Sequence, residues 1–325
     1  MYRKFYGLQQ RPFELAPNGK LIYLSEVHRE AIATLRYGVI ADKGFLLLTG
    51  GVGAGKTTVL NNLLGRLRNK VRVCVLNNPT LNKKEFFLYL EKKLGLNSNG
   101  NKGEFILQFS ALLDNCERMK EKILLIIDEA QIFPIKLLEE IRLLSNQASD
   151  RNVLSIFLIG QPELQKKLAD PQLLPLRQRI GIRYHLNPLN RGDVAQYIAY
   201  RLNRAGADNP AIFTAQAIDC IHEASQGNPR LINVICDHAM ISGFTRDMSS
   251  IDRNIVLDSL QEIRLEGEER LNISELQEQS QDKNSGQKKR KYSLKIIVPL
   301  LSIMTLLVSA ILLYFFVLQH KLPGI

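Results

Sequence analysis

The chain has 325 residues, 45% of them apolar and 23% charged. That excludes a wholly disordered or collagen-like protein and leaves room for two soluble domains, or one large domain with appendages. The formal net charge of +11 makes anionic partners worth considering. The four cysteines, Cys74, Cys116, Cys220 and Cys236, form no Cys-x-x-Cys pair, which argues against a cysteine zinc site or a disulfide-stapled scaffold.

Met1 to Leu15 hold no apolar stretch of the kind a secretory signal needs. The first clear element is Phe45-Leu46-Leu47-Leu48-Thr49, an apolar run between Gly44 and Gly50 that reads as a buried strand. Gly50-Gly51-Val52-Gly53-Ala54-Gly55-Lys56-Thr57-Thr58 follows, satisfying G-x-x-x-x-G-K-[ST], and Val59–Leu67 repeats apolar positions at helical spacing. Strand, glycine loop and helix thus stand in the order a phosphate-binding P-loop requires. Gly53 and Gly55 allow the backbone to curl so that successive N–H groups, aided by the helix N-terminus, face phosphate oxygens. Lys56 is then expected to reach the β- and γ-phosphates, Thr57 to ligate Mg²⁺ and Thr58 to meet the α-phosphate.

Val71–Leu76 reads as a second strand. Helical periodicity follows at Asn82–Leu94 and Phe105–Lys120. Ile123–Ile127 is an uninterrupted apolar strand that ends in Asp128-Glu129. With a P-loop upstream, Asp128 is placed to hold Mg²⁺ through water and Glu129 to act as general base on an attacking water. A helix over Ile135–Gln147, a strand over Leu154–Ile159 ending at Gly160-Gln161, and an edge strand over Ile182–Leu186 complete an alternating pattern. That pattern predicts an α/β core, a parallel sheet covered by helices on both faces. Helical segments at Asp193–Ala205, Ala215–Glu223, Pro229–Gly243 and Asp252–Glu262 then predict a small all-helical lid.

The C-terminal part differs. Residues from about Glu266 to Tyr292 are rich in Gln, Ser, Lys and Glu and read as a linker. Ile296–Leu318 is a run of 23 residues without a formal charge, about 34 Å long as a helix and long enough to cross a bilayer. Lys288, Lys289, Arg290, Lys291 and Lys295 precede it and only Lys321 follows. The bulk of the chain is therefore expected in the cytoplasm, with the basic cluster on anionic lipid. Residues 266–325 carry only +2 of the net charge, so residues 1–265 are themselves basic at +9. No recognition motif or aromatic-studded basic stripe accompanies that charge, which argues against nucleic acid as the partner. The expected organisation is an ATPase core at 1–187, a helical lid at 188–265, a polar and basic linker at 266–293, a transmembrane helix at 294–318 and a short periplasmic tail at 319–325.

With these motifs in hand, the sequence resembles AAA+ ATPases. More narrowly it resembles the ExeA-type ATPases of the general secretion pathway protein A family and their relative in biogenesis of the mannose-sensitive haemagglutinin (MSHA) pilus. The resemblance spans residues 1 to about 262. It rests on Tyr2, Phe5-Tyr6-Gly7-Leu8 and Pro12-Phe13, on Tyr23-Leu24-Ser25 with His28-Arg29-Glu30-Ala31, on the P-loop, and on Leu125-Ile126-Ile127-Asp128-Glu129-Ala130-Gln131. It continues through Ile159-Gly160-Gln161-Pro162-Glu163-Leu164, Leu176-Arg177-Gln178-Arg179-Ile180 and Gly227-Asn228-Pro229-Arg230-Leu231-Ile232-Asn233.

The resemblance implies ATP with Mg²⁺ as ligands, a homo-oligomer such as a hexamer, and ATP hydrolysis at subunit interfaces. It implies that Gln161 is the sensor 1 residue, that Arg179 or Arg177 is an arginine finger acting on the neighbouring subunit, and that Arg230 is the sensor 2 arginine. It further suggests that Asn78 restrains Glu129, and that His28, Tyr23 and Phe13 lie near the adenine. On their residues alone, Arg177, Arg179 and Arg230 also fit solvated charges, Gln161 a strand cap, His28 a structural histidine, and Tyr23 and Phe13 core fillers. The implied setting is the bacterial inner membrane, and the implied partners are secretion or pilus proteins of the cell envelope. Secretion-type relatives carry a peptidoglycan-binding domain after the span, whereas here about seven residues follow Leu318. This departure makes the pilus-type role as fitting as the secretion role. Two other classes stay open: a nucleotide-gated scaffold with slow turnover, and a DNA-handling ATPase like the transposition helpers.

Overall fold

The computed structural model describes residues 2–14, 22–41, 43–67, 71–77 and 81–265. Asn78, the linker and the Ile296–Leu318 run lie outside the described residues. Among those described, no helix is long and apolar enough to cross a membrane.

Among the described residues, five parallel strands form the sheet: β1 (Phe45–Gly50), β2 (Val71–Leu76), β3 (Lys122–Ile127), β4 (Leu154–Gly160) and β5 (Ile180–Leu186). Their spatial order is β2-β3-β4-β1-β5. Every residue of β1 and β4 is buried, and so is all of β3 after Lys122. These are the strands with continuous apolar runs, as expected of parallel strands covered on both faces. The edge strands β2 and β5 instead mix exposed and buried positions. Strand β5 starts two residues earlier than its apolar pattern indicates, because Ile180 pairs with Phe45 before a register shift.

Alternate residues of the strands feed two cores. Leu46, Leu48, Leu124, Ile126, Phe157 and Ile159 face helices α2 (Glu26–Ile40) and α3 (Lys56–Arg66), packing with Ile32, Leu35, Val59 and Leu63. Phe45, Leu47, Leu125, Ile127, Ile156 and Leu158 face the opposite layer, which includes α4 (Lys83–Leu94), α5 (Lys102–Met119) and α6 (Ile135–Asn146). The caps explain where these helices begin. Asn82 and Glu85 form a reciprocal capping box at the start of α4. Helix α5 begins at Lys102, ahead of the expected Phe105, because the Asn101 side chain accepts from Gly103 N and Glu104 N. Short helices α7 (Glu163–Leu168) and α8 (Leu174–Gln178) link β4 to β5.

Beyond the sheet, α9 (Arg191–Arg204), α10 (Ala215–Ser225), α11 (Pro229–Thr245) and α12 (Arg253–Leu265) form a helical group. Asn190, Thr214 and Asn228 cap the first three. Residues 2–14, which open with α1 (Tyr2–Phe5) and are counted with the sheet from sequence, pack on this group instead. Tyr2 Oη donates to Asp237 Oδ1 (2.6 Å) and Tyr6 Oη to the Met248 carbonyl (3.0 Å). Phe13 meets Phe213 edge to face. All four cysteines are free and buried.

The layer beneath α4 and α5 is held by stacked and edge-on phenylalanines. Phe105 is fully buried, with its ring 5.1 Å from Phe87 and 5.7 Å from Phe109. Replacing Phe105 with alanine is expected to lower unfolding stability by about 3–5 kcal/mol, read from urea denaturation midpoints at constant slope.

Candidate nucleotide site

The candidate site residues meet because of strand order. Strand β4 lies between β1 and β3, with Thr49 opposite Gly160 and Ile127 opposite Leu158. The glycine loop after β1, Gln161 after β4 and the carboxylates after β3 therefore emerge side by side at the carboxyl edge of the sheet, where open α/β folds bind ligands. There a cavity of about 500 Å³ has room for a nucleotide.

The loop carries Gly53 at φ 77° and Gly55 at φ 97°, left-handed conformations suited to glycine. A Cβ on Gly53 would lie 2.6 Å from Arg230 Cβ and 2.7 Å from Asn228 Oδ1. A Cβ on Gly55 would lie 2.5 Å from His28 Nε2. The loop is thus pinched between α2 below and the helical group above. Lys56 Nζ donates to the carbonyls of Gly50 (2.9 Å) and Gly51 (3.0 Å). Burial pulls its pKa below the ordinary lysine range, while Glu129, Asp128 and Glu163 favour the charged form. Thr57, Thr58 and Asn61, on one face of α3, share the cavity wall with Val52, Gly53, Gly55 and Lys56. Gly50, Gly51 and Ala54 do not line it but shape the turn.

Asp128 and Glu129 differ in setting. Burial raises the Asp128 pKa and a hydrogen bond from Glu129 N at 2.9 Å opposes that rise. Glu129 sits at φ 51°, an uncommon backbone for a residue with a side chain, and lines the cavity. Its Oε2 accepts from Gln131 Nε2 (2.6 Å) and from Gln161 Nε2 (3.3 Å). Among the described residues, no cluster of three or more His, Cys, Asp or Glu side chains is placed to hold a metal. Thr57 and Asp128 nonetheless suit Mg²⁺, which takes one or two protein oxygens and completes its shell with phosphate and water.

The helical group closes the site from above. Asn228 Nδ2 donates to the Val52 carbonyl at 2.7 Å while its Oδ1 accepts from Arg230 N at 3.0 Å. Arg230, Tyr197, Arg201 and Asn233 line the cavity. Tyr197 Oη donates to Asn233 Oδ1 at 2.8 Å, and the Arg201 guanidinium lies 5.7 Å from the Tyr197 ring centre. Tyr23 also lines the cavity, edge-on to Tyr197. Phe13 does not, and fills the core beside Phe213 instead.

Arg177 and Arg179 are absent from the cavity wall of their own chain. Arg179 Nη1 donates to Ser145 Oγ at 2.7 Å, and the Arg177 carbonyl accepts from Arg183. Sequence reasoning missed Asn228, Tyr197, Arg201 and Asn233. Tyr197 and Arg201 share a helical face at i, i+4 spacing, but without the fold nothing says that this face meets the P-loop.

His28 is buried, and its Nδ1 lies 2.6 Å from Ser25 Oγ. The Ser25 hydroxyl caps α2 by accepting from His28 N, and the direction of its contact with Nδ1 follows the ring tautomer. Burial lowers the His28 pKa, and a backbone hydrogen bond at Ala54 and the charge of Asp193 oppose this. With the native value depressed, the stability that His28 contributes is complete above the ordinary histidine pKa of about 6.5 and is lost as pH falls through the lower native value. Urea unfolding is therefore expected to show a larger stability loss between pH 7.5 and 5.5 in the wild type than in His28→Gln. Separately, Gly53→Ala should push Asn228 and Arg230 off the loop and weaken binding of a fluorescent ATP analogue by about tenfold or more, with the protein still folded by circular dichroism.

Residues 40–168 match the family model described as AAA domain. Over 260 residues the chain is 44% identical to "General secretion pathway protein A" of Aeromonas hydrophila, a match that covers 77% of this chain and 46% of that protein. The chain thus spans about half the length of the curated relative it matches. Among solved structures it is similar to the ORC2 protein of Aeropyrum pernix in ADPNP–ADP complexes, with a TM-score of 0.56 and 17% identity over 78% of this chain and 71% of that one. It is also similar to Cdc6p of Pyrobaculum aerophilum, with a TM-score of 0.56 and 15% identity over 77% and 70% of the two chains. At these identities the likeness is one of fold.

Proposed function

We propose that this chain, which matches the AAA domain model over residues 40–168 and is similar over most of its length to general secretion pathway protein A, is a membrane-anchored P-loop ATPase of the AAA+ type that hydrolyses ATP at subunit interfaces to assist assembly of a cell-envelope machine. The observation that carries the reading is the convergence of Lys56, Thr57, Glu129, Gln161 and Arg230 on one cavity.

In this reading the N–H groups of residues 50–58 hold the phosphates, and Lys56 turns from the Gly50 and Gly51 carbonyls to the β- and γ-phosphates. Thr57 and Asp128 would hold Mg²⁺, which when bound would supply charge neutralisation on the phosphoryl oxygens. Glu129 takes the proton of the attacking water, and Gln161, beside it, orients that water. Arg230 approaches from the helical group, so its contact with nucleotide couples that group to the loop. Arg179 or Arg177, outside its own chain's cavity, is offered to a neighbouring subunit as an arginine finger.

The proposal includes a single span at 294–318, with the ATPase on the cytoplasmic side of the bacterial inner membrane and Lys288–Lys291 on anionic lipid. The general secretion pathway in the relative's name supports a type II secretion setting. An MSHA-type pilus fits the same anatomy.

Full-length protein in detergent is expected to hydrolyse ATP with a per-subunit rate that climbs with protein concentration. Lys56→Ala serves as the blank, and Arg179→Ala or Arg177→Ala should cost about 10³-fold in kcat. A flat, very low rate with tight ATP binding would instead make the chain a nucleotide-gated scaffold.

A further inference from the structure

We propose that Gln131 is the positioning residue for the Glu129 carboxylate: it fixes one carboxylate oxygen so that the other is free to receive a proton from water. The inference rests on the reading of Glu129 as general base and assigns a residue to serve it.

The geometry singles out Gln131 over Gln161. Gln131 Nε2 donates to Glu129 Oε2 at 2.6 Å, whereas Gln161 Nε2 reaches the same oxygen at 3.3 Å. The shorter bond to a carboxylate is the stronger one. The other end of the Gln131 amide is also committed, since its Oε1 accepts from Gln161 N at 3.2 Å. That contact settles which way the amide points. A flipped amide would set its NH₂ against the Gln161 N–H and its oxygen against the carboxylate, two repulsions in place of two bonds.

The loop that carries Gln131 is itself tied down. Lys167 Nζ donates to the carbonyls of Gln131 (2.6 Å) and Phe133 (2.5 Å). Ala130 N donates to the Ile159 carbonyl of β4 at 2.8 Å. Gly160 leaves the room the amide occupies, because a Cβ there would lie 2.5 Å from Gln131 Oε1. Gln131 therefore bridges the end of β4 and the carboxylate after β3. Both amide donors fall on Oε2, and Glu129 lines the cavity, so Oε1 keeps its acceptor capacity for a water. Gln161, the weaker of the two holders, can turn toward that water without releasing Glu129.

The test uses the full-length protein, with kcat and KM for Mg-ATP and the dissociation constant of a fluorescent ATP analogue. Gln131→Ala is expected to lower kcat by about 10–100-fold, with KM and analogue affinity unchanged within about twofold. Gln131→Glu keeps the side chain's length but puts a carboxylate where the donor was, and it should be at least as slow. Loss of packing alone does not predict that result. In the Glu129→Gln background, Gln131→Ala should cost nothing further, because the two act as one unit. A wild-type kcat in Gln131→Ala alongside an inactive Glu129→Gln overturns this inference and leaves the base assignment standing. A wild-type rate in Glu129→Gln overturns the base assignment, and this inference with it.

Discussion

The site depends on parallel register. Strands β1, β4 and β3 run side by side in the same direction, so three segments far apart in sequence end on one line. In an antiparallel sheet neighbouring strand ends would point away from each other, and the P-loop would lose Gln161 at the tip of β4. Parallel pairing demands crossover connections, and helices α3, α5 and α6 supply them while covering both faces. The two cores therefore serve the site as much as stability. Phe157 and Ile159 on one face, with Ile156 and Leu158 on the other, hold β4 in the middle, and Gln161 stands at its tip.

Charge at that edge is arranged around partial desolvation. Lys56 is mostly shielded from water yet near three carboxylates, and its ammonium rests on two backbone carbonyls. A buried cation with acceptors of only partial charge is poised for a stronger anion, as phosphate would be. Asp128, pushed toward the neutral form by burial, gains from a cation for the same reason. In the proposed reading, metal and phosphate would each satisfy a group that the fold leaves incompletely satisfied.

The helical group matters through one small contact region. Asn228 caps α11 and bonds the Val52 carbonyl at the same time, so the start of α11, with Arg230, is registered on the glycine loop. Residues 2–14 are fastened to the same group by Tyr2, Tyr6 and Phe13. The glycine loop, the start of α11 and the N-terminal segment are thus joined by contacts already formed.

Much of this was legible in the amino-acid order, because the signals are local. Apolar runs announced β1, β3 and β4, and glycine spacing announced the P-loop. Asp128-Glu129 at a strand end announced the acid pair, since each depends on residues a few positions apart. Element ends were read less well where a cap decided them, as at Asn101, or where pairing did, as at Ile180. The tertiary structure alone decided the strand order that seats Gln161 between loop and acids, and the docking of residues 2–14 and of Asn228 on partners far away in sequence. It also decided the amide bridge from Gln131 to Glu129. These depend on contacts between residues dozens to hundreds of positions apart, or on a loop conformation that those contacts impose, and no local pattern encodes them.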